Sequence, residues 1–501
     1  MRFRFLCILA LAGLLLSPVT ARAEPASSLA AVVTGVPGTV RIAAYEPDSI
    51  DPALSGDWTI TNQLFSGLTR IDPVSKLPIG DLANSWTISP SGTEYTFTLR
   101  PALTWSNGTP LTATDVRYGI LRSLNPANGS GTAYMLYPIL NAYEYNHGTA
   151  TQSQVGVTVL SPTQIKFTLT APAAYFPANL AQAPARPQPA AAIRLWGSTW
   201  TEPGHIITSG PYKLTQWVHN DKMVLDKWTG FYGAASVKIP RVTVKITDET
   251  TAWVMFQNGA LDTVNVPIAN VPSVRSNPAL SPLLHDAPSG CTQYYGFNTA
   301  LAPFNDPLVR KAFIAAVNRP GLIDAQTGGT GVLAQTFTAP GMFGFVDGVA
   351  EGVGIPYDVT QAQAWLSAAG FPNGAGLPPI TLWFNSSPGV QAIAEYMQSN
   401  WAANLNVTVT LQSLPWSEYL NQLDQGTMQI WRLGWCLDYN DAYNFLNDAV
   451  VPSPGRYGGW SNSSYLSLLN DAALTTDDDN ARRAFCKQAE GILVGTDAVM
   501  L

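Results

Sequence analysis

Charged residues are scarce in this 501-residue chain, because Asp, Glu, Lys and Arg together make up 12% of it and the formal net charge is -7. A protein that holds nucleic acid through its phosphates needs a basic surface, which this balance does not supply. Nucleic acid is therefore not an expected partner.

Histidine is scarcer still, and the four residues are scattered: His147, His205, His219 and His285. None forms the close pair at helical spacing that is typical of a histidine-built metal site. We interpret them as surface or locally hydrogen-bonded side chains, and we predict neither a metal nor a cofactor.

The sequence also lacks motifs of covalent catalysis. It contains no Gly-x-Ser-x-Gly nucleophile elbow and no phosphate-binding Gly-x-x-x-x-Gly-Lys loop. Carboxylates are present in number, but sequence alone does not place two of them at the separation that glycoside hydrolysis requires. We predict a protein that is not an enzyme, with a secreted hydrolase as the alternative from another class.

Long apolar runs are confined to the N-terminus. Two arginines precede an apolar stretch from Phe5 to Leu16, and a small-residue triplet ends at Ala23. This pattern predicts a signal peptide over residues 1–23 that is cleaved on export, and hence a periplasmic protein. The stretch is shorter than the roughly 18 to 20 residues that span a bilayer, which disfavours an uncleaved anchor.

Cysteine is rare after the predicted cleavage site, where only Cys291, Cys436 and Cys486 remain. An oxidising compartment favours pairing two of the three and leaves one over. Cys486 lies in a predicted helix from Asn480 to Leu493, and we interpret it as a small packed residue.

Apolar periodicity divides the chain into two halves. Three alternating patterns predict half-buried strands in the first half: Tyr95, Phe97 and Leu99; Ile165, Phe167 and Leu169; Val242, Val244 and Ile246. From Cys291 onward, strands alternate with helices. A strand at Ile380–Phe384, a helix at Val390–Trp401 and a strand at Val407–Leu411 predict a βαβ unit with parallel strands. Asp306 and Asp358 are predicted helix N-caps.

Aromatic residues are abundant, with 15 Trp, 19 Tyr and 18 Phe, which suits a large core or a ligand cavity. Three of them, Trp431, Trp435 and Tyr439, lie between Ile430 and Asn440 together with Arg432 and Asp438. A buried charge is costly unless it is paired, so these two side chains would favour the oppositely charged ends of a zwitterionic ligand. The alternative is that each pairs with protein groups.

The segment from Gly434 to Asn440 resembles a hallmark of the oligopeptide-binding proteins of ABC peptide importers, which are family 5 extracellular solute-binding proteins. Further segments resemble that family in the same order along the chain: Asp51-Pro52, Leu64–Leu68, Trp105–Val116, Gly210–Leu214 and Tyr294–Asn298. Several matches in sequence order make chance similarity an unsatisfactory explanation.

The resemblance implies an α/β, two-lobed periplasmic binding protein with a hinge, whose N-terminal lobe has two sub-domains. Domain I would comprise residues 24–65 and 196–290, domain II residues 66–195, and the C-terminal α/β lobe residues 291–501. The family normally continues for roughly thirty to forty residues more. We therefore expect an apparent C-terminal truncation that leaves a sheet edge unpaired and apolar surface exposed.

The resemblance also assigns residues. Asp438 corresponds to the carboxylate that binds a peptide's α-amino group, and Arg432 to a residue that meets the C-terminal carboxylate. The other predicted ligand-binding residues are Trp435, Trp416, Tyr439 and Glu46, and core packing is the alternative for the two tryptophans. Cys291 and Cys436 stand where the family has a disulfide, which leaves Cys486 free. No basic residue occurs over 385–390, so the preferred peptide length stays open.

The implied function is the capture of short peptides by a monomer, with β-augmentation of the extended ligand, and delivery to inner-membrane permease subunits with cytoplasmic ATPases. Within the same class, a metal chelate, haem, a sugar or an opine is the alternative ligand.

Overall fold

The structure is a computed structural model that describes residues 38–55, 58–327 and 329–501, so the predicted signal peptide lies outside the described residues. The described residues form these strands: β1 (Thr39–Ala44), β2 (Thr69–Ile71), β3 (Pro78–Gly80), β4 (Ala83–Ile88), β5 (Glu94–Leu99), β6 (Val157–Ser161), β7 (Gln164–Thr168), β8 (Tyr212–Val218), β9 (Lys222–Lys227), β10 (Arg241–Ile246), β11 (Cys291–Phe297), β12 (Ile380–Asn385), β13 (Val409–Leu414) and β14 (Ile430–Cys436).

The α-helices are α1 (Trp58–Leu64), α2 (Ala113–Ser123), α3 (Ala142–Asn146), α4 (Phe176–Asn179), α5 (Ala190–Trp196), α6 (Glu249–Gln257), α7 (Val271–Ser276), α8 (Pro307–Ala315), α9 (Arg319–Thr327), α10 (Gly348–Glu351), α11 (Val359–Ala368), α12 (Pro388–Leu405), α13 (Trp416–Asp424), α14 (Ser463–Leu474) and α15 (Asp479–Glu490). Within the described ranges, none of them has the length and apolar character of a membrane span.

Two four-stranded sheets build the first half of the chain. One has the strand order β1-β10-β9-β8, with β1 parallel to β10, and the other is the antiparallel sheet β4-β5-β7-β6. The three strands predicted from alternation are confirmed as β5, β7 and β10. Their inward side chains, among them Phe97 and Phe167, share one apolar core with Trp200 and Phe65.

The second half is an α/β sheet with the order β11-β14-β12-β13. The predicted βαβ unit is confirmed, because β12 and β13 are parallel and α12 connects them. The Asp306 side chain accepts a hydrogen bond from the Leu308 amide at 2.7 Å and starts α8, and Asp358 accepts one from the Gln361 amide at 2.9 Å and starts α11. Both predicted N-caps are confirmed.

The last residues of the chain pair with the outer edge of β11. Tyr295 exchanges two backbone hydrogen bonds of 2.8 Å with Leu501, and the Phe297 amide donates to the Val499 carbonyl at 2.9 Å. Val499 and Met500 are buried against the second-half core. The expectation of an unpaired sheet edge is therefore wrong at Tyr295–Phe297, since the terminal residues turn back and occupy it.

The two halves meet around residues 438–443. Tyr175 stacks on Tyr439 and Tyr443, with ring centroids 5.2 and 4.4 Å apart. The Asn440 side-chain amide donates to the Lys76 carbonyl in the turn between β2 and β3. The segment after β14 is thus one place where the C-terminal lobe contacts the N-terminal one.

Replacing Met500 with Ala should lower the free energy of unfolding by about 2–5 kcal/mol, because the side chain is buried and its removal leaves a cavity. Urea unfolding followed by tryptophan fluorescence measures the loss. Leu474→Ala is the control, since Leu474 is 44% exposed and its truncation should change stability little. Equal losses in the two variants would contradict the packing described for Met500.

Candidate functional site

Strand β14 presents a short open edge. All seven of its residues pair with β11 on one side, whereas β12 pairs on the other side only with Ile430 and Trp431. At Arg432 the hydroxyl of Tyr419 replaces a neighbouring strand as the hydrogen-bond partner of the main chain. It donates to the Arg432 carbonyl at 2.6 Å and accepts from the Arg432 amide at 2.8 Å. Between Leu433 and Cys436, no described strand covers this edge.

A disulfide closes the far end of the β11–β14 pair. Cys291 and Cys436 are opposite each other in the register and are bonded, with Cα atoms 4.0 Å apart. The predicted pairing is confirmed, and Cys486 is free and buried. Burial raises the pKa of the Cys486 thiol to about 12, so the thiol stays protonated and unreactive at neutral pH.

Asp438 follows directly after this closed end. Its Oδ1 accepts a hydrogen bond from the Tyr134 hydroxyl of the opposite lobe at 2.6 Å, and its Oδ2 accepts one from Asn444 Nδ2 at 2.9 Å. Its backbone amide donates to Asn444 Oδ1 at 3.0 Å. All of these partners are neutral, and the described lysine and arginine side chains form no ion pair with Asp438. No cationic side chain among the described residues therefore compensates the Asp438 carboxylate.

Arg432 lies at the other end of the open edge and is also held by neutral groups. Its guanidinium donates to Asn385 Oδ1 at 3.1 Å and to Gln293 Oε1. Among the described residues it has no carboxylate partner. Because a strand rises by about 3.3 Å per residue, the six residues from Arg432 to Asp438 span at most about 20 Å. An uncompensated cation and an uncompensated anion therefore flank the open edge.

Three of the predicted aromatic residues lie near these two charges. Trp435 is half-buried and donates from Nε1 to Asn444 Oδ1 at 3.1 Å, which places it beside Asp438. Tyr439 is buried and donates to Asp448 Oδ2 at 2.6 Å. Trp416 is 51% exposed at the start of α13, with its ring 6.1 Å from Tyr419, the residue that caps Arg432.

Glu46 belongs to the other lobe and stands apart from this cluster. Its carboxylate accepts hydrogen bonds from Trp217 Nε1 at 3.1 Å, His219 Nδ1 at 2.7 Å and the Asn220 amide at 3.1 Å. The structure brings together Asp438, Trp435 and Tyr439, places Arg432 and Trp416 at the opposite end, and shows no contact between Glu46 and the others.

Sequence reasoning missed three residues of the site, which are Tyr134, Asn444 and Asp448. Asn444 and Asp448 lie six and ten positions after Asp438 in a short helix whose polar residues, which include Asn447, flank the apolar pair Phe445-Leu446, and this pattern was a signal that was available. Tyr134 is 304 positions away from Asp438 and carries no local signal.

A cavity of about 910 Å³ adjoins the segment after β14. It is lined by both lobes, including Leu437 and Asn440 on either side of Asp438. Basic side chains dominate its charged lining, with Arg70, Lys76, Arg100 and Arg186 against Asp81. The cavity borders the segment that carries Asp438, but Asp438 is not among its lining residues. Among the described residues, no cluster of three or more His, Cys, Asp or Glu could hold a metal ion.

Comparison with known proteins identifies the family. Residues 78–456 match the model of the bacterial extracellular solute-binding proteins, family 5 middle region. The chain belongs to this family. Among its family 5 relatives, the oligopeptide-binding protein OppA of Bacillus subtilis is 32% identical over 90% of this chain and 84% of its own. The periplasmic oligopeptide-binding protein OppA of Salmonella typhimurium is 30% identical over 95% and 89%.

Solved family 5 structures agree with the fold. The unliganded open form of the periplasmic murein tripeptide binding protein MppA superposes with a TM-score of 0.82 at 29% identity, over 92% of this chain and 90% of its own. Another structure, of the Escherichia coli murein tripeptide binding protein, gives 0.68 at 30% identity, over 92% and 91%. The predicted two-lobed α/β binding-protein fold is confirmed.

Asn444 holds the site together, so Asn444→Ala should lower the free energy of unfolding by about 2–4 kcal/mol. The residue is fully buried and its amide bonds Trp435, Asp438 and Asp448, which would lose their partner. Thermal and urea unfolding measure the effect. Asn421→Ala, on the exposed face of α13, is the control and should be close to neutral; a wild-type stability of Asn444→Ala would contradict this assignment.

Proposed function

We propose that this protein captures short peptides in the cleft between its lobes, outside the cytoplasmic membrane, and delivers them to the permease of an ABC importer. One observation carries the proposal: the open edge of β14 has an uncompensated Arg432 at one end and an uncompensated Asp438 at the other. This arrangement complements a zwitterion with an extended main chain. Relatives named for binding oligopeptides and dipeptides support it.

The charges fix the direction of the ligand. The peptide's α-ammonium binds Asp438 and its terminal carboxylate binds the guanidinium of Arg432, so the peptide runs antiparallel to β14. Between these ends, the main chain of the peptide hydrogen-bonds to the open edge from Leu433 to Cys436. Main-chain hydrogen bonds do not depend on the sequence of the peptide, so this edge binds peptides without selecting for particular side chains.

The separation of the charges limits the length of the ligand. An extended peptide covers about 3.3–3.6 Å per residue. The main chain at Arg432 and at Asp438 is at most about 20 Å apart, and both side chains point into this interval, which shortens the distance between the charged groups. Peptides of about three to five residues fit between them. Trp435, Tyr439 and Trp416 supply apolar surface along the peptide, and Glu46 faces it from the other lobe as the lobes close.

The remaining parts of the proposal follow from the two-lobed architecture. Domain I (residues 24–65 and 196–290) and domain II (66–195) close on the C-terminal lobe (291–501) by a hinge motion, and the permease recognises the closed form. The protein acts as a periplasmic monomer without catalysis, and transport is driven by cytoplasmic ATPase subunits.

Peptides recovered intact after long incubation with the protein would support binding without hydrolysis, whereas cleavage products would indicate a hydrolase.

Asp438→Asn should weaken binding of trialanine by about 1.5–3 kcal/mol, the scale of a charge-assisted hydrogen bond, which is roughly 10- to 150-fold in Kd. Isothermal titration calorimetry measures the loss. N-acetyl-trialanine serves as the matched ligand: it lacks the ammonium, should bind the wild type weakly and should not distinguish the variant. Equal losses for both peptides would show that Asp438 does not bind the amine.

Arg432→Gln tests the other end of the ligand. The substitution should weaken the binding of trialanine by a similar amount, about 1.5–3 kcal/mol, because the guanidinium–carboxylate pair is lost. Trialanine amide has no terminal carboxylate and should bind both proteins alike in the same titration. If the variant discriminates between the two ligands as strongly as the wild type does, Arg432 does not bind the terminal carboxylate.

A further inference from the structure

Behind Asp438 lies a second carboxylate that belongs to no ion pair. Asn444 Nδ2 donates to Asp438 Oδ2 at 2.9 Å and to Asp448 Oδ2 at 3.2 Å. The two carboxylates therefore share one amide, and their bonded oxygens are no more than about 6 Å apart. Asp448 also accepts bonds from Tyr439 at 2.6 Å and from Asn447 at 2.8 Å.

We propose that Asp448 is a positioning residue of the amine-binding site, which orients Asp438 through Asn444 and adds a second negative charge to the attraction of the ligand's α-ammonium. This inference rests on the proposed function. Three neutral side chains hold Asp448 in place, and among the described side chains no lysine or arginine compensates its charge. An incoming cation near Asp438 therefore interacts with both carboxylates.

The residues around Asp448 do not neutralise its charge. Asp441, the next acid nearby, is neutralised by Arg482 at 2.5 Å. Among the described residues, the titratable groups that face Asp448 besides Asp438 and Asp441 are tyrosines, whose pKa values burial raises and which stay neutral. They are Tyr439 and Tyr443 on the C-terminal lobe, and Tyr134 and Tyr175 on the opposite one.

Titration of Asp448 gives the proposal a specific signature. Burial raises its pKa to about 6, against the hydrogen bonds from Tyr439, Asn447 and Asn444, and the charge of Asp438 adds to the rise. Asp448 is therefore ionised above about pH 6 and becomes neutral as the pH falls through that value. A peptide's α-ammonium is almost fully charged near pH 6 and is still mostly charged at about pH 7.5, since its ordinary pKa is about 8.

Affinity for trialanine should consequently fall about three- to tenfold between about pH 7.5 and pH 5, as Asp448 loses its charge. By linkage, binding near pH 6 should release protons, because the bound ammonium favours ionised Asp448. Calorimetric titrations in two buffers of different ionisation enthalpy measure both quantities on the wild-type protein.

Asp448→Asn keeps the shape and removes the charge, so its affinity at pH 7.5 should resemble that of the wild type near pH 5, without the proton release at pH 6. Asp477→Asn removes a charge from an exposed position and should behave like the wild type. N-acetyl-trialanine should release no protons from the wild-type protein, a control that holds even where Asp448→Asn folds poorly.

Two results would overturn the role of Asp448: wild-type binding of trialanine that is independent of pH across this range, or a variant with unchanged affinity and unchanged proton release. Either leaves peptide binding itself intact. Failure of the wild-type protein to bind any free-amine peptide would instead overturn the proposed function.

Discussion

The antiparallel ladder between β11 and β14 is the constraint on which the site depends. Seven consecutive pairs fix β14 on one side, and the disulfide at Cys291–Cys436 fixes the end from which the chain turns into Asp438. Because this side is fully paired, β14 keeps its register with β11 beyond the point where its pairing with β12 ends. The flanking charges then keep a fixed spacing without any contact between them.

The second organising element is the buried amide of Asn444. One side chain donates to two carboxylates and accepts from an indole and a backbone amide, so every polar atom of the group is used. A buried network of this kind is stable only when all members are satisfied. It holds Asp438 from within the C-terminal lobe, and the Tyr134 hydroxyl of the opposite lobe adds one further hydrogen bond to the same carboxylate.

Much of this was predictable from sequence, and the reasons differ between elements. The strands β5, β7 and β10 and the βαβ unit follow from apolar periodicity, which reports burial directly. The disulfide and the roles of Asp438 and Arg432 came from family resemblance rather than from spacing, since pairing across 145 residues has no local signature. Tyr134 was missed for the same reason. The pairing of Tyr295 with Leu501 was contrary to expectation, because family resemblance carries no information on the contacts that the last residues of this chain make.

An open sheet edge has a consequence for the behaviour of the protein in concentrated solution. Such an edge is a template on which another copy's strand can add, and long, flat edges lead to polymerisation. Here the open part is four residues long, is closed by Tyr419 at one end and by the disulfide at the other, and is bounded by opposite charges. A strand inside a folded chain has no charged termini and extends beyond both ends of this edge, so it matches the edge less well than the free peptide of the proposed function. The short edge therefore disfavours strand addition by another copy of the chain.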